Sequence, residues 1–286
     1  MTDATHSRHC NHDIAGLGVA DAAALTTAAS DRPLLTVSVP LFIASAAVTA
    51  VGCKSMSAMG QMAMPGGWEM SMVWMRMSGQ TWIALAASFI GMWIVMMVAM
   101  MLPCLVPMLS GYRRALGAAG ERRLGRMTVL AGAGYFLVWA AFGAMVFPMG
   151  VALTAIEMDW PALARAVPIT TGVVVLAAGA LQFSSWKSRY LACCGESQRH
   201  GRMLSAGSGG AWRDGVSLGL RCSCCCANLM AILLVIGVMD LRAMVLVTAA
   251  LAAERWSTPG ERVARAVGVV AIGVGLFLIA RAATVV

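Results

Sequence analysis

Four of the five positions from Cys222 to Cys226 are cysteine, in the run Arg221-Cys222-Ser223-Cys224-Cys225-Cys226-Ala227-Asn228. On a helix, Cys222 and Cys226 stand four apart and share a face. Cys225 lies beside them and Cys224 points elsewhere. Met230 continues the same face by another step of four. Neighbouring cysteines on one helix do not readily close a relaxed disulfide. Thiolate sulfur is a soft ligand that favours Cu(I). A thiolate in apolar surroundings is costly unless a cation compensates it. A bound Cu(I) would do so, as would the guanidinium of Arg221, with Asn228 as a further polar group that orients a ligand. The competing reading makes the cysteines protonated, small apolar packing residues, but four in five positions is dense for packing alone. Closed zinc sites space about four Cys or His ligands along loops. Heme and iron–sulfur motifs have spacings not seen here.

Methionine carries the second signal, with 23 residues in the chain. A segment between two apolar runs holds Met56, Met59, Met62, Met64, Met70, Met72, Met75 and Met77. Thioether sulfur is also a soft Cu(I) ligand and forms no disulfides, which suits an oxidising compartment. The alternative is an amphipathic segment on a membrane surface, with Met and Trp as its apolar face. In the next apolar run Met92, Met96, Met100 and Cys104 recur at steps of four, one stripe of a helix, with Met97 and Met101 beside it. Methionine also fills gaps between packed helices. The stripe's ending on Cys104 is what points to metal.

Lesser signals are His6, His9, Cys10 and His12 in the N-terminal tail, read first as disordered and unliganded, and Cys193 and Cys194 beyond Lys187. Asn228, Asp240 and Glu254 are polar groups at or near apolar runs. No G-x-S-x-G, P-loop, H-E-x-x-H or Gly-rich nucleotide motif occurs.

The elements that must position this sulfur follow from composition. Of the 286 residues, 59% are hydrophobic and 12% charged, against about 25% charged in a soluble domain. The mean hydropathy is +0.77. Apolar runs cover 34–53, 81–107, 127–150, 163–183, 215–239, 241–253 and 263–280. A span needs about 20 residues, and backbone in lipid must bond within itself, so these runs are helices. The fold class expected is all-α, a polytopic transmembrane bundle of seven spans. The alternative is six spans with 241–253 re-entrant or interfacial. Residues 1–33 read as a polar cytoplasmic tail without signal-peptide character, and 34–286 as a single transmembrane domain.

Lys and Arg favour the cytoplasmic side of short loops. With seven spans, 15 of the 21 basic residues fall on one side, which places the N-terminus in the cytoplasm. The net charge of +8 then reflects topology; the basic residues are split among loops, so no nucleic-acid partner is expected. The expected setting is a bacterial inner membrane. The expected partners are lipid and a periplasmic or cytoplasmic metallochaperone or membrane protein.

Trp93-Ile-Val-Met-Met-Val-Ala-Met-Met-Leu-Pro-Cys-Leu-Val-Pro-Met108 resembles a signature of a bacterial family of unknown function described as predicted metal-binding integral membrane proteins. So do the cysteine run through Asn228-Leu-Met230, the stretch Gly237-Val-Met-Asp-Leu241 and the pair Glu254-Arg255. The resemblance covers about residues 80–280. The family pattern is Cys-x-Gly-Cys-Cys-Trp. Cys222, Cys225 and Cys226 match it, while Cys224 stands for Gly and Ala227 for Trp. A second pattern, Lys-x-x-Cys-Leu-x-x-Cys, is met by Lys187, Leu191 and Cys194, with Tyr190 replacing the first Cys and Cys193 added. The resemblance implies metal binding; copper is inferred from ligand softness.

Three functions compete. One is a Cu(I) protein that captures, relays or inserts the ion through thioethers and then thiolates. Its ligands would be Met56, Met59, Met62, Met64, Met96, Met100, Cys104, Cys222, Cys224, Cys225, Cys226 and Met230. The second is a copper-dependent membrane oxidase or monooxygenase on a lipophilic substrate. The four histidines, at 6, 9, 12 and 200, fall outside the apolar runs, which argues against a self-contained oxidase. The third is a metal-free thiol redox or structural subunit.

Overall fold

The computed structural model describes residues 32–56, 61–64, 68–71, 74–76, 79–116, 120–200, 208–257 and 260–285. Eight helices account for nearly all of them. They are α1 (Arg32–Met56), α2 (Trp82–Leu116), α3 (Glu121–Asp159), α4 (Pro161–Leu181), α5 (Ser185–His200), α6 (Ser208–Ile236), α7 (Leu241–Trp256) and α8 (Gly260–Val285). Six of them (α1, α2, α3, α4, α6 and α8) are long and apolar enough to cross a membrane by length and composition. The bundle turns many large apolar side chains outward, among them Val37, Ile83, Val129, Leu246 and Phe277. Such a surface belongs against lipid.

α7 is the short member, with 16 residues, about 24 Å at the helical rise. Its neighbours nonetheless give it a direction. Its first turns lie beside the end of α1, where Cys53 meets Met244. Its last residue, Trp256, bonds Pro103, deep in α2. α8 then begins beside the end of α4, with Gly268 against Gln182 and Phe183, and runs back so that Ile279 reaches Gly172. α7 therefore returns the chain to the end of the bundle from which α8 starts. Among the described residues six long helices are apolar enough to span, and this short one packs beside them. Gly237 makes the α6–α7 turn with φ +140°, a conformation side-chain-bearing residues rarely adopt. Asp240 caps α7 by accepting from the amides of Arg242 and Ala243 at 2.8 and 3.0 Å.

Small residues set the close helix crossings. Gly134 faces the carbonyl of Trp212, and Gly215 faces Ala131, so that a side chain at either would strike the opposing backbone. Gly215 and Gly219 lie four apart on α6, the small-residue spacing that lets apolar helices approach. Gly172, Gly179, Gly268 and Gly275 do the same between α4 and α8.

Two findings add to the sequence reading. The methionine-rich segment contains a short antiparallel hairpin, β1 (Gln61–Met64) and β2 (Trp68–Ser71), with Met64 opposite Trp68. Trp68 ties it to α4 by donating to the carbonyl of Ala164 at 2.9 Å. The segment after α4, read as a loop, is the helix α5. Arg113, Lys187 and Arg255, three of the 15 basic residues assigned above to one side, are buried. They therefore carry less weight in any argument about sidedness.

Candidate metal centre

α6 presents its cysteines to the middle of the bundle. Cys222, Cys225 and Cys226 are buried, whereas Cys224 is only half-buried, as its helical angle requires. The sulfurs of Cys222 and Cys226 lie 3.7 Å apart. That is too long for a disulfide, whose S–S bond is about 2.05 Å. It is also less than twice a metal–thiolate bond of about 2.3 Å, so one ion can touch both sulfurs. Cys225 hydrogen-bonds to Cys226. Cys104 of α2, fully buried, lies close enough to Cys222, Cys225 and Arg255 to interact with them electrostatically.

Two donors converge on Cys222. The hydroxyl of Tyr135 on α3 donates to its sulfur at 3.1 Å, and Nη2 of Arg255 on α7 donates at 3.2 Å. The same Nη2 reaches Cys226 at 3.8 Å, while Nη1 reaches the thioether of Met108 on α2 at 3.9 Å. Two such donors favour negative charge on this sulfur.

Arg255 is held by its neighbours. Glu254, beside it on α7, pairs with Lys187 of α5 at 2.8 Å and accepts from Gln182 at 2.8 Å. Lys187 also donates to the carbonyl of Cys225 at 2.8 Å. All of this is buried. Trp256 fixes the end of α7 through Pro103. Pro107 has no N–H to offer the carbonyl four residues back, and Nε1 of Trp256 takes that place at 3.2 Å.

The residues expected from the sequence divide. Met96, Met100 and Met230 are buried in the same core as the thiols. Met97 and Met101, also buried, fill the same part of α2. Met56, Met62 and Met64 are half-buried at the other end of the bundle. Met59 lies outside the described residues, as do His6, His9, Cys10 and His12. Arg221 is half-buried, and the guanidinium on the thiols is that of Arg255. Asn228 donates to the carbonyl of Ala178 on α4 at 3.4 Å and so ties α6 to α4.

Sequence reasoning missed Tyr135, Met108 and the role of Arg255. A charged pair closing an apolar run was the available signal for Arg255. For Tyr135 there was none.

Among the described residues no three His, Cys, Asp or Glu side chains converge as a ligand group. The converging donors are one thiol pair with thioethers nearby. That set is soft and low in number, short of the four ligands that close a structural zinc site. It fits Cu(I).

Residues 90–278 match a family model described as PpoB2, copper chaperone. No curated protein and no solved structure matches the chain.

Proposed function

This chain belongs to the PpoB2 copper chaperone family, and from that premise we propose that it binds Cu(I) inside its helix bundle and relays the ion to a partner protein. The observation that carries the reading is the buried Cys222–Cys226 sulfur pair, 3.7 Å apart beneath Arg255 and Tyr135. Cu(I) is the cargo. It takes two thiolates readily and tolerates a coordination number too low for zinc.

Charge balance gives Arg255 its role. One Cu(I) between two thiolates carries a net charge of −1. Such a charge, buried without a counter-ion, is expensive. The guanidinium beside both sulfurs brings the sum to zero. Before loading, one thiolate on Cys222 already balances Arg255, so Cys226 enters as a thiol and loses its proton as the ion arrives. The Lys187–Glu254 pair is neutral by itself and holds Arg255 in register. The buried methionines of α2 line the approach with thioethers, which bind the same ion more weakly than thiolates and so allow it to move on.

The test is anaerobic loading of the purified protein with Cu(I) in detergent. Wild type should retain the ion against a chromophoric Cu(I) chelator. A Cys222→Ser/Cys226→Ser variant that holds copper with equal affinity and stoichiometry would remove this pair as the site.

A further inference from the structure

We propose a second Cu(I) site, formed by Cys53 of α1, Met244 of α7 and Met92 of α2, at the hairpin end of the bundle. The thiol of Cys53 donates to the thioether of Met244 at 4.0 Å, and both residues are buried. Met92 lies against α1 at the neighbouring residue. A Cβ on Gly52 would sit 3.1 Å from the sulfur of Met92, so the glycine makes room for that thioether. Two soft donors from two helices therefore meet here, with the thioether of a third packed against the adjacent residue of α1.

Two further observations separate this cluster from ordinary packing. Thr49, one turn before Cys53 on the same face of α1, is buried, and its hydroxyl has no hydrogen-bond partner among the described residues. A buried polar atom left so is a cost that a ligand or its water can remove. Asp240 is also close enough to Cys53 to act on it electrostatically. Its carboxylate favours a cation in this place. Cu(I) with the Cys53 thiolate forms a neutral unit, the thiol proton passing to solvent.

The position of the cluster adds meaning. α1 ends at Met56, one turn beyond Cys53, and Met62 and Met64 follow in β1. Met92 and Cys104 are 12 residues apart on α2, about 18 Å along the helix. Met244 and Arg255 are 11 apart on α7, about 17 Å. Both helices thus set the same separation between the two thiol sites. Met96, Met97, Met100 and Met101 occupy the interval on α2. The second site is an entry station, and the Cys222–Cys226 pair is the one after it.

This inference rests on the Cu(I) reading, but the two can fail separately. Full-length protein in detergent is titrated anaerobically with Cu(I), alongside Met244→Leu, Cys53→Ser and Cys222→Ser/Cys226→Ser variants. Met244→Leu keeps the volume and removes only the sulfur, and circular dichroism checks that its helices remain. Met244→Leu and Cys53→Ser should each lose about one equivalent of Cu(I) relative to wild type, while the Cys222/Cys226 variant keeps that equivalent. Unchanged stoichiometry and affinity in a folded Met244→Leu protein overturns the second site and leaves the first standing. Loss of all copper in the Cys222/Cys226 variant overturns it too.

Discussion

Nη2 of Arg255 lies 3.2 Å from the sulfur of Cys222, and the two come from helices α7 and α6 that are 33 residues apart in the chain. Both residues are buried, and each lies within reach of the other's charge. A buried guanidinium needs an anion, and a buried thiolate needs a cation. On the proposed function, Arg255 balances the Cys222 sulfur before copper arrives and is still required afterwards, when the copper–dithiolate unit would carry the negative charge.

Replacing Arg255 should weaken Cu(I) binding without removing a ligand. Loss of a group that supports metal ligands typically costs about 10–100-fold in affinity. Arg255→Ala should fall in that range, and Arg255→Lys should recover part of it by restoring charge without the forked geometry. Competition with a chromophoric Cu(I) chelator measures both. Wild-type affinity in Arg255→Ala would contradict the charge argument.

The cysteines should not be equivalent. Cys222→Ser and Cys226→Ser each remove one sulfur of the 3.7 Å pair and should abolish binding at that pair, leaving only the equivalent held at the Cys53 site. Cys224 is half-buried on another face of α6, so Cys224→Ser should bind like wild type. Metal analysis after gel filtration separates the cases. Equal losses in all three variants would mean that the run acts as a whole, contrary to its helical geometry.

Loading should release a proton from this pair. With Cys222 already a thiolate against Arg255 and Tyr135, only Cys226 has a proton to lose. Lightly buffered protein carrying Met244→Leu, with an indicator dye, should release about one proton as the Cys222–Cys226 pair fills. Two protons would show that both thiols start protonated, and none that both start ionised.

How much of this was legible beforehand depends on which kind of pattern each element leaves. The spans were readable because about 20 apolar residues in a row have few other uses. The thiol face was readable because Cys222 and Cys226 sit one helical turn apart. Arg255 was harder: it looks like a loop charge at the edge of a short apolar run, and only the return of α7 into the bundle buries it. Lys187 misled for the same reason, since α5 folds back against α2 and α6. Tyr135 and Met108 lie far from the cysteines in sequence and have no local pattern to mark them, so only the α3–α6 crossing at Gly215 and the proline-broken ladder of α2 bring them in. The hairpin was hidden because its methionines resemble one face of a helix or a surface segment.

The Lys187–Glu254 pair makes the last prediction, and it concerns positioning. Both side chains are buried, and they meet at 2.8 Å. Removing one partner leaves the other charged and uncompensated, which in buried pairs costs about 3–5 kcal/mol. Lys187→Met and Glu254→Gln should each lower the thermal unfolding midpoint in detergent. The double variant Lys187→Met/Glu254→Gln should recover most of that loss, because an uncharged, filled site has no charge left to compensate. Copper affinity should behave differently. Lys187 also holds the carbonyl of Cys225, and Glu254 sets the register of Arg255 against the thiols. The double variant should therefore remain folded yet bind Cu(I) more weakly than wild type. A double variant with restored stability and full affinity would reduce the pair to a structural contact, and one with neither restored would show that the charges are needed for folding itself.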